Sequence, residues 1–236
     1  MKYFTKFFTY FNFLKTYLIP GSKNSVIDAF HTLYYDSYLV GGTWSRNTFL
    51  GTPIQKCPMD LQTYQEILYE TKPDLIIECG TAFGGGALYL ASLCDLIGVG
   101  EVVTIDVVNR PEFPKHPKIT YLTGSSTDPE IVAKVRDLAK GKSRVMVILD
   151  SDHRMSHVLT ELELYHSFVT AGCYLIVEDT NVNGHPVRPE HGEGPYEALT
   201  RFLEINKSFE IDKLRESGYI TFNPSGYLKK IKTQNL

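Results

Sequence analysis

From residue 74 to residue 229 the chain alternates unbroken apolar runs with stretches whose apolar positions recur every three to four residues. Leu75-Ile76-Ile77, Val102-Val103, Val145-Met146-Val147-Ile148-Leu149 and Tyr174-Leu175-Ile176-Val177 show no polar alternation, the pattern of strands covered on both faces. They and a shorter run at 119–122 predict strands over 74–79, 101–107, 118–123, 144–150 and 173–178. The intervening periodicity predicts helices over 84–96, 128–140, 155–169 and 195–205. Strand and helix in alternation build a parallel sheet with helices on its faces. Two more strands, over 209–212 and 219–228, are separated by 213–218 alone, too little for a crossover helix, so they pair antiparallel at one edge. The expectation is an α/β fold, a doubly wound, Rossmann-like sheet of seven strands.

Residues 1–70 lack this alternation and read as an amino-terminal cap, helical or irregular, ending in a helix around 60–71; residues 71–236 are the second, ligand-binding domain. Tyr3, Phe7, Tyr10, Leu14 and Tyr17 lie on one helical stripe, with Lys2, Lys6 and Lys15 largely off it. Such a stripe suits a helix packed on the body or on a partner subunit, an interfacial membrane helix, or a signal-like segment; against the last stand a broken apolar run and no small-residue cleavage site. A homo-oligomer is therefore expected, with peripheral membrane contact through residues 1–19 as the alternative use of the stripe. No run of eighteen uncharged apolar residues occurs. The expected location is cytoplasmic, and membrane-peripheral if the stripe meets lipid. A net charge of −3 argues against a nucleic-acid partner. Cys57, Cys79, Cys94 and Cys173 have no paired spacing and read as small buried residues in a reducing compartment.

The first strand–helix junction, Glu78-Cys79-Gly80-Thr81-Ala82-Phe83-Gly84-Gly85-Gly86, selects the ligand. Gly80 and Gly85 fit the first and last glycines of a dinucleotide turn, but Ala82 stands at the middle one and Glu78 precedes the turn. A carboxylate there repels phosphate and suits a sulfonium, an amine or ribose hydroxyls, which favours S-adenosylmethionine over NAD. Thr81 and Gly84 complete the turn; with no ligand it would simply cap a helix. Asp106, closing the next strand, can accept both ribose hydroxyls. Gly124, Ser125 and Ser126 stand where small polar groups can hold an adenine, ahead of a helix start with Thr127 or Asp128 as N-cap and Pro129 in the first turn.

The fourth and fifth strands deliver Asp150-Ser151-Asp152-His153 and Glu178-Asp179-Thr180-Asn181 to the same edge. Neighbouring strand ends crowd these carboxylates, and unpaired carboxylates repel and raise one another's pKa values. A hard divalent cation, Mg²⁺ with Mn²⁺ or Ca²⁺ as substitutes, relieves the repulsion. The competing reading has the acids capping helices or bound to Arg144 or Arg154.

These segments carry a resemblance. Thr48-Phe49-Leu50-Gly51-Thr52-Pro53-Ile54-Gln55-Lys56-Cys57-Pro58-Met59-Asp60-Leu61, Glu78-Cys79-Gly80-Thr81, Gly124-Ser125-Ser126-Thr127-Asp128-Pro129, Leu149-Asp150-Ser151-Asp152-His153 and Val177-Glu178-Asp179-Thr180-Asn181-Val182-Asn183-Gly184-His185-Pro186 resemble the cephalosporin hydroxylase and rhamnosyl O-methyltransferase family, across about residues 44–229. The resemblance implies an S-adenosylmethionine-dependent methyltransferase whose sheet ends in an antiparallel pair. It also implies a magnesium site of Asp152 (Asp150 being the second choice), Glu178 and Asp179, with Asp150 otherwise on the cofactor. Members act in antibiotic tailoring and in glycan or glycolipid methylation, so the implied acceptor is a hydroxyl of a sugar, glycolipid or natural product, a vicinal diol if two oxygens chelate one ion. The first forty residues match nothing in the family.

Methyl transfer is an in-line displacement, so the protein chiefly orients the reactants and deprotonates the nucleophile. Catechol O-methyltransferases place a lysine base just after the metal aspartate; this chain has His153 and then Arg154, making His153 the candidate base, with Asp152 beside it. His185 is a further candidate, and His157, one helical turn beyond His153, a supporting group. The Gly-, His- and Pro-rich segment 181–195 is either a loop that closes over substrate or an ordered subunit contact. Tyr34, Tyr35, Tyr38 and Trp44 either line an acceptor pocket or pack the cap. Two other classes compete: a hydroxylase, for which the parallel βαβ pattern is wrong, and a silent binding partner that keeps the fold without turnover.

Overall fold

The structure is a computed structural model and describes Leu14 and residues 18–231. The aromatic stripe of residues 1–19 therefore lies almost wholly outside the described residues. The apolar runs form strands where expected: β3 (Leu75–Cys79), β4 (Val102–Asp106), β5 (Ile119–Thr123), β6 (Val145–Leu149) and β7 (Tyr174–Val177). Ahead of them a small hairpin, β1 (Thr48–Phe49) and β2 (Thr52–Pro53), belongs to the cap. With β8 (Phe209–Ile211) and β9 (Tyr227–Lys230), the sheet has seven strands in the order β5-β4-β3-β6-β7-β9-β8. β5 to β7 run parallel, and β9 is antiparallel to both β7 and β8.

Strand side chains alternate between faces, and each face has its own helical cover. Leu75, Ile77 and Cys79 pack with Val132, Val135, Leu162, Leu199 and Phe202, from α4 (Pro129–Ala139), α5 (Met155–Tyr165) and α6 (Pro195–Ile205). Ile76, Met146, Ile148 and Ile176 pack with Tyr64, Ile67, Leu68, Ala87 and Leu90, from α2 (Pro58–Thr71) and α3 (Gly85–Ile97). α4 starts as its sequence dictates, with Asp128 accepting from the Glu130 amide at 2.8 Å and Pro129 in the first turn. All four cysteines are free and buried. No helix among the described residues is long and apolar enough to cross a membrane.

Two boundaries differ from expectation. The helix expected over 155–169 ends at Tyr165. The strand expected over 219–228 is shorter and later, because its polar residues turn inward. The Phe222 amide and the Tyr227 hydroxyl both donate to buried Asp60, the Asn223 amide donates to Thr221, and Ser225 has a positive φ. These bonds hold 220–226 as a bend against α2, and only Tyr227–Lys230 joins the ladder.

Among the described residues the cap contributes α1 (Ser22–Asp36). A small apolar cluster of Tyr35, Cys57, Val182, Val187 and Phe222 ties it to segment 181–195, so that segment is packed. Two glycines let backbones meet at the edge of the sheet. Gly80 has φ +102°, and a Cβ there would lie 1.8 Å from the Asp150 carbonyl oxygen. A Cβ on Gly85 would lie 2.1 Å from the Pro53 carbonyl oxygen, so the hairpin and the residues after it seat directly on the start of α3.

Candidate active site

Two cavities meet at the carboxyl edge and share Gly80, Ala82, Asp150 and Ser151. The first, about 380 Å³, lies over β4 and β5 and includes Asp106, Gly124, Ser125, Ser126, Asp152 and His157. The second, about 340 Å³, lies over β3, β6 and β7 and includes Lys56, Glu78, Thr81, Gly85, His153 and Asp179.

In the first cavity the acids are satisfied by near neighbours. Asp106 accepts from the amides of Thr81 (3.1 Å), Ala82 (2.9 Å) and Val108 (2.9 Å), so it clamps the glycine turn while lining the first cavity. Asp152 accepts from the amide and Nε of Arg154, each at 3.0 Å, and from its Nη2. The guanidinium holds the Asp152 carboxyl down at about 2. The carboxylate of Asp152, expected beside Glu178 and Asp179, is engaged by Arg154, and the groups that lie close together are Asp150, His153 and Asp179. Ser126 is buried and its hydroxyl donates to Glu161, which also accepts from Ser151 at 2.7 Å; the second Glu161 oxygen has no hydrogen-bond partner among the described residues. Ser125 pairs with Thr127. His157 Nε2 lies 3.2 Å from the Ser126 hydroxyl and 3.4 Å from Glu161 Oε1.

The second cavity gathers the other acids around charges that come from far along the chain. Asp150, His153 and Asp179 each offer one ligand atom, and these atoms lie within 4.8 Å of one another. His153 Nε2 is 3.2 Å from Asp179 Oδ2. Burial alone would lower the His153 pKa, but Asp179 and then Asp150 reverse the shift, and the net displacement is upward. Burial pushes the Asp150, Glu178 and Asp179 carboxyls up. Glu78, fully buried, rises to about 7 by desolvation, which Lys56 and a 2.7 Å hydrogen bond from Thr104 only partly offset.

The residue that organises this cluster is one the sequence reading passed over. Lys56 Nζ donates to Asp150 Oδ2 at 2.6 Å and to Glu178 Oε1, with only 7% of the lysine side chain exposed. Glu178 Oε1 also accepts from the Tyr64 hydroxyl at 2.6 Å. The available signal was a lone lysine between Pro53 and Pro58 in an otherwise uncharged stretch. Arg188 was missed as well; it lines the cavity and donates to the Tyr38 hydroxyl.

The cavity wall opposite the acids is aromatic. Tyr35, Tyr38 and Trp44 line it while meeting one another in tilted and edge-on ring contacts, and Tyr35 and Trp44 meet Phe222 edge-on, so lining and packing are one arrangement. His185 lies elsewhere, stacked on Tyr196 and 2.8 Å from Glu197. Gly84 sets the start of α3 with φ +83° and does not line either cavity. Arg144 is spent on the Thr71 carbonyl at 2.9 Å.

The two carboxylates, Asp150 and Asp179, are the donors a hard cation takes, and the His153 imidazole lies beside them in the lining of the second cavity. The model of the family described as "Rhamnosyl O-methyltransferase/CmcI" matches residues 42–231. A rhamnosyl O-methyltransferase of Mycobacterium bovis is 38% identical over 213 residues, covering 87% of this chain and 85% of that protein. One from Mycobacterium leprae is 38% identical over 217 residues, covering 89% and 93%. A solved structure of CmcI with Mg and S-adenosylmethionine shares the fold, with a TM-score of 0.62 at 18% identity over 84% of each chain. The chain belongs to the rhamnosyl O-methyltransferase/CmcI family of S-adenosylmethionine-dependent O-methyltransferases.

Proposed function

We propose that this enzyme methylates a hydroxyl of a saccharide, one of a vicinal pair, with a divalent cation at Asp150 and Asp179. The observation that carries the reading is the meeting of the two cavities at Gly80 and Asp150. In this reading the first cavity is the cofactor side, with Asp106 and Ser126 toward ribose and adenine, and the second is an acid-and-aromatic side suited to a polar acceptor. Glu78, beneath the glycine turn, gives the sulfonium a carboxylate neighbour. The aromatic wall of Tyr35, Tyr38 and Trp44 suits the apolar face of a sugar ring, and Arg188 at its rim offers donors to ring substituents. When bound, a divalent cation supplies Lewis acidity that makes a hydroxyl easier to deprotonate. His153 Nε2 is placed to take the released proton. The aromatic lining and the acid cluster together would orient the acceptor oxygen for in-line displacement. The rhamnosyl acceptors named for the mycobacterial relatives agree with this choice of sugar.

The test is methyl transfer from labelled S-adenosylmethionine to rhamnosides, with and without chelator, against analogues whose neighbouring hydroxyl is blocked. The expected product is a methyl ether on the free diol, lost on chelation and on blocking. Full turnover in excess chelator would contradict the cation; equal turnover on the blocked analogue would contradict the diol.

A further inference from the structure

One face of α5 turns a stripe of polar side chains toward the loop after β5. His157, Glu161 and Tyr165 recur every four residues and so lie one above another on the helix. The Tyr165 hydroxyl donates to the Ser126 carbonyl at 2.7 Å, which fixes the backbone of that loop. Glu161, fully buried, then gathers two hydroxyls from two different loops on one carboxylate oxygen. Ser126, after β5, donates to Oε1, and so does Ser151, after β6, at 2.7 Å. The other oxygen has no hydrogen-bond partner among the described residues. His157 Nε2 closes the group, 3.2 Å from the Ser126 hydroxyl. Ser126, Ser151 and His157 all line the first cavity, and Ser125 beside them pairs with Thr127 at 2.9 Å.

We propose that Glu161 is a positioning residue that, through Ser126 and Ser151, makes the base end of the first cavity accept hydrogen bonds, so that the cofactor is selected by its exocyclic amine and a 6-oxo purine is refused. This rests on the reading of the first cavity as the cofactor side. The physical reason is proton count. A hydroxyl carries a single proton and two lone pairs. With that proton given to Glu161, each serine has only lone pairs left for a ligand. Turning either hydroxyl round would strip a bond from a buried carboxyl group that already has one oxygen unpaired, a cost that holds both protons where they are. Adenine brings amine protons to those lone pairs. Hypoxanthine brings a carbonyl oxygen, lone pair against lone pair, and a buried polar group left unpaired is what separates close analogues most sharply.

The experiment compares S-adenosylhomocysteine with S-inosylhomocysteine, the same molecule with oxygen in place of the amine, by calorimetry on the full chain. The wild type should bind the adenosyl compound about tenfold or more tighter. Glu161→Met frees both hydroxyl protons to serve either ligand, and the preference should fall to within about threefold. Glu161→Gln keeps an acceptor oxygen and should keep most of the preference. A wild type that binds both compounds alike overturns the proposal. So does a Glu161→Met variant that weakens both in equal proportion, the result of a merely structural role. Where Glu161→Met does not fold, the double variant Ser126→Ala, Ser151→Ala decides: it should weaken the adenosyl compound and leave the inosyl compound within about threefold, and a retained preference overturns the proposal. If the double variant binds both compounds as the wild type does, adenine does not lie in the first cavity, and the cofactor-side reading fails with the proposal. If it weakens adenosyl binding while Glu161→Met keeps the full preference, the Glu161 role alone fails.

Discussion

The two halves of the carboxyl edge look alike in sequence and behave differently in the fold. In the first cavity, lined from β4, β5 and the end of β6, each acid finds its partner within a few residues or on the facing turn: Asp106 takes amides, and Asp152 takes Arg154 two residues on. Over β6 and β7, Asp150 and Glu178 share Lys56, which lies 94 and 122 residues away in the chain. A carboxylate satisfied locally is a clamp, and its charge is spent holding backbone. Carboxylates that must share one remote cation retain excess negative charge, which is what a divalent ion and a polarised hydroxyl require.

The contrast can be broken in order of expected effect. Asp179→Ala should reduce turnover by roughly a thousandfold or more, the several kcal/mol expected from losing Lewis-acid help, while S-adenosylhomocysteine affinity stays within a few-fold. Steady-state rates beside calorimetry read both; retained turnover would erase the distinction between the two cavities.

Next comes the cap that roofs the acid side. His31 on α1 is 4% exposed, stacks on Phe222 and lies 3.1 Å from the Asn181 side-chain amide nitrogen. Burial lowers its pKa from 6.5 to about 4. A histidine depressed in the folded state contributes stability above its unfolded pKa that is lost as pH falls through the window from 6.5 to 4. Denaturant melts should lose up to about 3 kcal/mol across that window. His31→Phe should flatten this part of the profile.

On the cofactor side the sign reverses and the size shrinks. The hydrogen bond to Glu161 raises the His157 pKa against its burial. That stability is present below 6.5 and fades as pH rises past the raised value, and with a partly exposed ring it amounts to under about 1 kcal/mol. His157→Gln should remove that slope and leave Mn²⁺ affinity unaltered; a change in Mn²⁺ affinity would join the two cavities electrostatically.

The smallest effect is expected at Asp152. Its partner Arg154 has a 77% exposed side chain. Asp152→Asn should cost under about 1 kcal/mol in melting and change turnover by less than about threefold.

The sequence made the sheet legible because a strand covered on both faces must be apolar throughout, as β6 and β7 are. The N-cap at Asp128 was legible because capping is a contact over two residues. The last strand was misplaced because Thr221 and Asn223 are buried polar residues whose partners, Asp60 and Tyr227, only the fold supplies. The acid site shows the same division. Clustering of acids at the ends of β6 and β7 followed from strand adjacency, but choosing between Asp150 and Asp152 depended on which one Arg154 could reach. Lys56 was invisible to local rules, since nothing near it in sequence asks for a cation.

The most direct test of the central claim is Mn²⁺ binding to Asp150→Asn beside Asp152→Asn, measured by calorimetry in the presence of S-adenosylhomocysteine. Loss of binding at Asp150 with near-wild-type affinity at Asp152 is the predicted result. Binding that survives at Asp150 and disappears at Asp152 would contradict the account and return the ion to the neighbour of Arg154.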